Sequence, residues 1–137
     1  MPETPLGRDT ILIIEDDGDL RETLAEVLRD AGHSVFCAKD GREALRMLES
    51  AAFPRPCLML LDWLMRPMSG PEFLQAIQLR PDVAVLRVLV ISGADNLDQA
   101  SCYPGVVGVL RKPFEMDDLL AVTQTHCPSG SARLTAG

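Results

Sequence analysis

Short apolar runs alternate along the chain with stretches whose apolar residues recur every three or four positions. The first run is Ile11, Leu12, Ile13 and Ile14. A helical pattern follows, with Leu20, Leu24, Val27, Leu28 and Ala31 on one face and Gly32 placed to end it. A short strand is predicted over 34–38. Asp40 and Gly41 then open a second helix with Ala44, Leu45, Leu48 and Ala51 turned inward. The third run, 57–61, stops abruptly at Asp62. Pro71 suits the first turn of a third helix whose buried face is Phe73, Leu74 and Ile77, and Pro81 closes it. Strands are predicted over 85–91 and 106–110. Between them, 95–102 supports only a short fourth helix, cut off by Pro104 and Gly105. A last helix runs from 115 to about 125, with acidic residues at its N-terminus as the helix dipole favours.

A strand and a helix therefore repeat five times. Strands that are apolar throughout are expected where helices cover both faces of a sheet. The predicted fold is α/β, a doubly wound five-stranded parallel sheet. The 137 residues suit one domain, expected over 10–125 with flexible termini at 1–9 and 126–137.

Composition narrows the classes. Hydrophobic residues make up 47% of the chain, too many for a disordered one. No apolar run approaches the roughly 18 residues that span a bilayer, and the N-terminus lacks a secretion signal. The expectation is a soluble cytoplasmic protein with no membrane partner. A net charge of −7 argues against a nucleic-acid partner, which needs clustered Lys and Arg. Cys37, Cys57, Cys102 and Cys127 form no C-x-x-C pair and no zinc spacing, so they read as structural thiols. His33 and His126 read as ordinary surface residues.

In doubly wound sheets, sites form outside the carboxyl ends of the strands, where strand order reverses. Glu15, Asp16 and Asp17 follow the first run, Asp62 ends the third, Ser92 follows the fourth, and Arg111, Lys112 and Pro113 follow the fifth. If the first and third strands are neighbours, Glu15, Asp16 and Asp62 converge. Their mutual repulsion would push each toward protonation. A hard divalent cation, Mg²⁺ or Mn²⁺, or the ammonium of Lys112 can hold them ionised. With the Ser92 hydroxyl, this set can bind phosphoryl oxygens, and Asp62 can form an acyl phosphate. Taken singly, each residue has a plainer reading: an Asp after a strand is usually a turn or cap residue, and Asp17 caps the first helix. Complementary groups at four strand ends are what independent caps do not supply.

These residues resemble the response-regulator receiver family, over about 10–125. Ile11-Leu-Ile-Ile-Glu-Asp-Asp is similar to the family's first strand and acidic pair, with Asp16 at the direct metal-ligand position. Asp62 in Leu-Leu-Asp-Trp-Leu-Met matches the phosphorylated aspartate, Ser92 the switch Ser/Thr, and Lys112 in Arg-Lys-Pro-Phe the family's lysine. The resemblance implies a flavodoxin-like strand order 2-1-3-4-5 and a cis Lys112–Pro113 bond. It implies a bacterial two-component protein that takes a phosphoryl group onto Asp62 from a histidine kinase or a histidine phosphotransfer protein. Such a chain is a signalling phosphoacceptor, not an enzyme, although it assists its own phosphorylation and dephosphorylation. Mg²⁺, or Mn²⁺ in its place, would be held by Asp16, Asp62 and the backbone carbonyl of Leu64, with Glu15 acting through water. Phosphorylation would draw Ser92 inward and reshape the face around the fourth and fifth strands. A weak homodimer is allowed for. If the chain is complete, its signal passes by protein–protein contact; a piece of a longer regulator would look the same.

The sequence also departs from the family pattern. Met65-Arg66-Pro67 places the proline one position late, Leu64 is apolar where polar residues are frequent, and Val109 stands where the family has a switch aromatic. One alternative is therefore a degenerate receiver that docks without phosphorylation. A second is a phosphohydrolase of the haloacid dehalogenase type, but its second acid would fall on Leu64, leaving no general acid. No G-x-G-x-x-G follows the first strand, which disfavours a dinucleotide oxidoreductase.

Overall fold

The computed structural model describes residues 10–80, 86–93 and 98–127. In chain order its elements are β1 (Thr10–Ile14), α1 (Gly18–Asp30), β2 (Ser34–Ala38), α2 (Gly41–Glu49), β3 (Leu58–Asp62), α3 (Gly70–Ile77), β4 (Val88–Ser92), β5 (Val106–Arg111) and α4 (Met116–His126). The strands form one parallel sheet in the order β2-β1-β3-β4-β5, a flavodoxin-like arrangement. Strand order reverses between β1 and β3.

Alternation along each strand divides the core in two. Leu12, Ile14, Met59, Leu61, Val88 and Val90 face one side, where they meet Ala44 and Leu48 of α2 and Phe73, Leu74 and Ile77 of α3. Ile11, Ile13, Leu58, Leu60, Leu89 and Ile91 face the other, against Leu24, Ala25 and Leu28 of α1 and Leu119 of α4. The central strands β1, β3 and β4 are consequently buried at every position, whereas the edge strand β5 is only partly buried.

Local chemistry explains the boundaries. Asp17 caps α1 by accepting from the backbone N–H groups of Asp19 and Leu20. At the other end Gly32, at φ 102°, completes a Schellman turn. Its N–H donates to the Arg29 carbonyl and that of His33 to the Leu28 carbonyl. Asp40 caps α2. A reciprocal capping box between Ser69 and Glu72, with Pro71 in the first turn, starts α3.

Several expectations are corrected. α3 ends at Ile77, before Pro81, which lies outside the described residues. β4 begins at Val88 rather than Val85. Of the short fourth helix expected over 95–102, the described part is a 3₁₀ segment, Asp98–Cys102, so the described residues hold four α-helices, not five. Ala51 is exposed, because α2 stops at Glu49 and Ala51 falls in the turn that follows. His33 is buried, as the Schellman turn draws it in between α1 and β2. His126 is half-buried at the end of α4, and Cys127 beyond it is fully buried. Cys57 and Cys127 are not thiols but a disulfide. The expected flexible stretches 1–9 and 128–137 lie outside the described residues.

Candidate functional site

Glu15 follows β1 directly, and its backbone N–H still pairs with the Ala38 carbonyl of β2. This continued pairing keeps the residue in the sheet, with only 1% of its surface exposed. Asp62 is the last residue of β3, in register with Ile91 of β4, and is likewise buried. Asp16 is exposed at the mouth. Because β1 and β3 are neighbours, Glu15, Asp16 and Asp62 bring carboxylate oxygens within 4.8 Å of one another.

β5 brings the opposing charge. The backbone N–H of Lys112 donates to the Ser92 carbonyl, which joins the ends of β4 and β5. From there the Lys112 Nζ lies 3.6 Å from Glu15 Oε1 and 3.8 Å from Asp62 Oδ1. The Lys112–Pro113 bond is cis, as the resemblance implied, and Arg66–Pro67 is cis as well. Ser92 is buried at the same end of the sheet. Leu64 turns its side chain to solvent, 63% exposed, while its N–H points at Asp62 Oδ1 over 3.4 Å. All the expected site residues thus gather at the carboxyl end of the sheet.

Electrostatics sharpen the picture. Burial, and secondly the Asp62 charge, push Glu15 up to about 7, while the Asp17 N–H and Lys112 pull against them. Burial also raises Asp62, opposed first by Lys112. Repulsion among carboxylates, the expected cause, is thus second to loss of water. The contact between the two acids raises Glu15 and lowers Asp62. Glu15 Oε1 accepts no hydrogen bond from any described residue although it is buried. Buried, crowded, under-satisfied carboxylate oxygens are the donor set a hard divalent cation takes, so these residues fit one.

The family model for the response regulator receiver domain matches residues 11–124. The chain belongs to the response-regulator receiver family. Response regulator MprA of Mycolicibacterium vanbaalenii is 37% identical over 113 residues, which are 81% of this chain and 47% of that protein. The same figures hold for MprA of Mycobacterium tuberculosis. The chain therefore spans about half the length of the curated relatives it matches. Among solved structures, a response regulator receiver protein from Pseudomonas putida gives a TM-score of 0.76 at 27% identity, over 91% of this chain and 99% of that one. Chemotaxis response regulator CheY4 of Vibrio cholerae gives 0.74 at 30% identity, over 85% and 96%. Receivers of this family are signalling modules of two-component systems, and the fold and strand order expected from the resemblance are the ones found.

Two features of this receiver escaped the sequence. Arg21 Nη1 donates to the Glu15 carbonyl and so braces the acidic turn from α1. Trp63, immediately after Asp62, is buried and packs edge-on against Tyr103, with ring centroids 6.2 Å apart. Val109 joins the same apolar cluster in place of an aromatic. Neither contact has a local signature, since Arg21 is one of several charges on its helix and Tyr103 lies 40 residues from Trp63.

Proposed function

We propose that this receiver accepts a phosphoryl group on Asp62 from a phosphohistidine of a sensor kinase or a histidine phosphotransfer protein. The observation that carries the reading is the convergence of the Glu15, Asp16 and Asp62 carboxylates with the Lys112 ammonium at one strand end. An Asp62 oxygen attacks phosphorus, the P–N bond to the donor histidine breaks, and the imidazole leaves with the bonding pair. Lys112 neutralises charge on the transferred group. Ser92, buried at the end of β4, offers a hydroxyl to a phosphoryl oxygen. Asp16, Asp62 and the Leu64 carbonyl would hold Mg²⁺ or Mn²⁺, with Glu15 reaching it through water. The cation would supply charge neutralisation and orientation for the incoming phosphoryl oxygens. The same groups would serve the later hydrolysis of the acyl phosphate.

Downstream, the altered face around β4 and β5 would be read by another protein. Leu64 stands two residues after Asp62 where a hydrolase would need an acid, which favours a signalling phosphoacceptor over a phosphatase. Incubation with labelled acetyl phosphate and Mg²⁺ tests the reading. Label should enter the wild-type chain, and be lost in Asp62→Asn and on chelation. Absence of metal-dependent label in the wild type would instead leave the degenerate receiver, a reading that Val109 at the switch position favours.

A further inference from the structure

Cys57 lies just before β3 and Cys127 just after α4; their disulfide has Cα atoms 5.8 Å apart and spans a sequence separation of 70. Cys127 is fully buried in the cluster of Ile11, Ile13, Leu58 and Leu60, whereas Cys57 is partly exposed. The bond sits at the amino end of β3, opposite the carboxylate site, so its role does not depend on the function proposed above. Cys37 and Cys102 are free thiols.

α4 is more lightly held than α1 and α3. It fully buries only Leu119 and the polar Thr123, where α1 buries Leu24, Ala25 and Leu28, and α3 buries Phe73, Leu74 and Ile77. Met116, Leu120 and Val122 are only partly covered. At its C-terminal end Arg87 Nη1 also donates to the His126 carbonyl, over 3.0 Å and in a solvent-exposed position. A helix of 11 residues with so little fully buried area docks weakly without a further constraint.

We propose that the Cys57–Cys127 disulfide is a redox clasp that holds α4 on the sheet, and that a dithiol reductant releases the helix's C-terminal half. The thiolate of the dithiol attacks Sγ of Cys57, the accessible partner. The S–S bond breaks, and Cys127 leaves as a thiolate that takes up a proton. The second thiol of the reductant then displaces Cys57, which is also protonated, and the reductant departs as its own disulfide. Two electrons and two protons have passed to the protein. Release uncovers Leu120 and Val122, so the redox state sets which surface the end of α4 offers to a partner.

Hydrogen exchange of the full chain, oxidised in air or reduced with a phosphine, tests this, with peptide mapping in parallel. Mapping of the oxidised protein should recover a Cys57–Cys127 cross-linked peptide and alkylate only Cys37 and Cys102 once denatured. Reduction should speed amide exchange over 120–127 by roughly tenfold or more while leaving β1 protected. The Cys57→Ser/Cys127→Ser variant should exchange like reduced wild type under both conditions, and Cys37→Ser/Cys102→Ser should respond like wild type. Recovery of all four cysteines as thiols after oxidation would overturn the proposal. So would equal exchange over 120–127 in both states, or loss of protection throughout the sheet, which would mark a global staple instead of a local clasp. The wild-type comparison decides the matter even where the double variant does not fold.

Discussion

Glu15 and Asp62 sit side by side with little water and one shared ammonium, and that arrangement sets the pH behaviour of the site. Glu15 titrates near 4.5 in an unfolded chain and at about 7 in the folded one, so the native state binds its proton more tightly. Its favourable contribution is complete below pH 4.5, declines as pH rises, and is gone once pH passes about 7. Thermal melts of metal-free protein should carry this falling component. Glu15→Gln keeps the shape without the titration, so it should flatten that component and stabilise the metal-free chain at pH 8 by about 2–3 kcal/mol. A variant with an unaltered pH profile would contradict the raised pKa. Lys112 acts in the opposite sense, lowering both acids. Lys112→Met should cut acetyl-phosphate labelling of Asp62 by roughly 10²-fold, the scale expected for a lost charge-stabilising group, while leaving the fold intact by circular dichroism.

At the scale of elements, two glycines place the helices on one face of the sheet and differ in tolerance. A Cβ on Gly70 would lie 2.9 Å from the Trp63 Cα and 3.0 Å from the Asp62 carbonyl, both backbone atoms that cannot yield. Gly70→Ala is therefore expected to destabilise by about 2–3 kcal/mol and to disturb labelling, because it pushes on the backbone of Asp62 itself. A Cβ on Gly41 meets the Met68 side chain, whose thioether end can swing away. The helix propensity gained there offsets the shift, so Gly41→Ala should fall within about 1 kcal/mol of wild type. Chemical denaturation of the two variants side by side measures the contrast.

For the molecule as a whole, the proposed cation binding would be linked to folding, since the carboxylates converge only in the native sheet. Mg²⁺ at a hundred times its dissociation constant should stabilise the chain by about 2.7 kcal/mol. The gain should shrink below pH 7, where the proton on Glu15 competes, and vanish in an Asp16→Asn/Asp62→Asn double variant. Scanning calorimetry with and without Mg²⁺ at pH 6 and pH 8 checks both statements. An equal gain in the double variant would place the cation elsewhere.

Much of this is legible in one dimension. The runs 11–14, 58–61 and 88–91 are apolar at every position because both faces are covered, and that alone implies a parallel sheet with helices on either side. Asp17, Gly32 and Asp40 mark helix ends because capping acts over three or four residues. Glu15, Asp16, Asp62, Ser92 and Lys112 could be picked out because strand ends are local events and the topology brings them to one side. The packing of Trp63 against Tyr103, the brace from Arg21, the burial of His33 and the Cys57–Cys127 bond are set by contacts between distant or differently oriented segments. So is the finding that desolvation, ahead of mutual repulsion, raises Glu15 and Asp62. Residue types and spacing determined which groups meet at Asp62; how deeply they were buried, and what clasped the last helix, was decided only when the sheet closed around them.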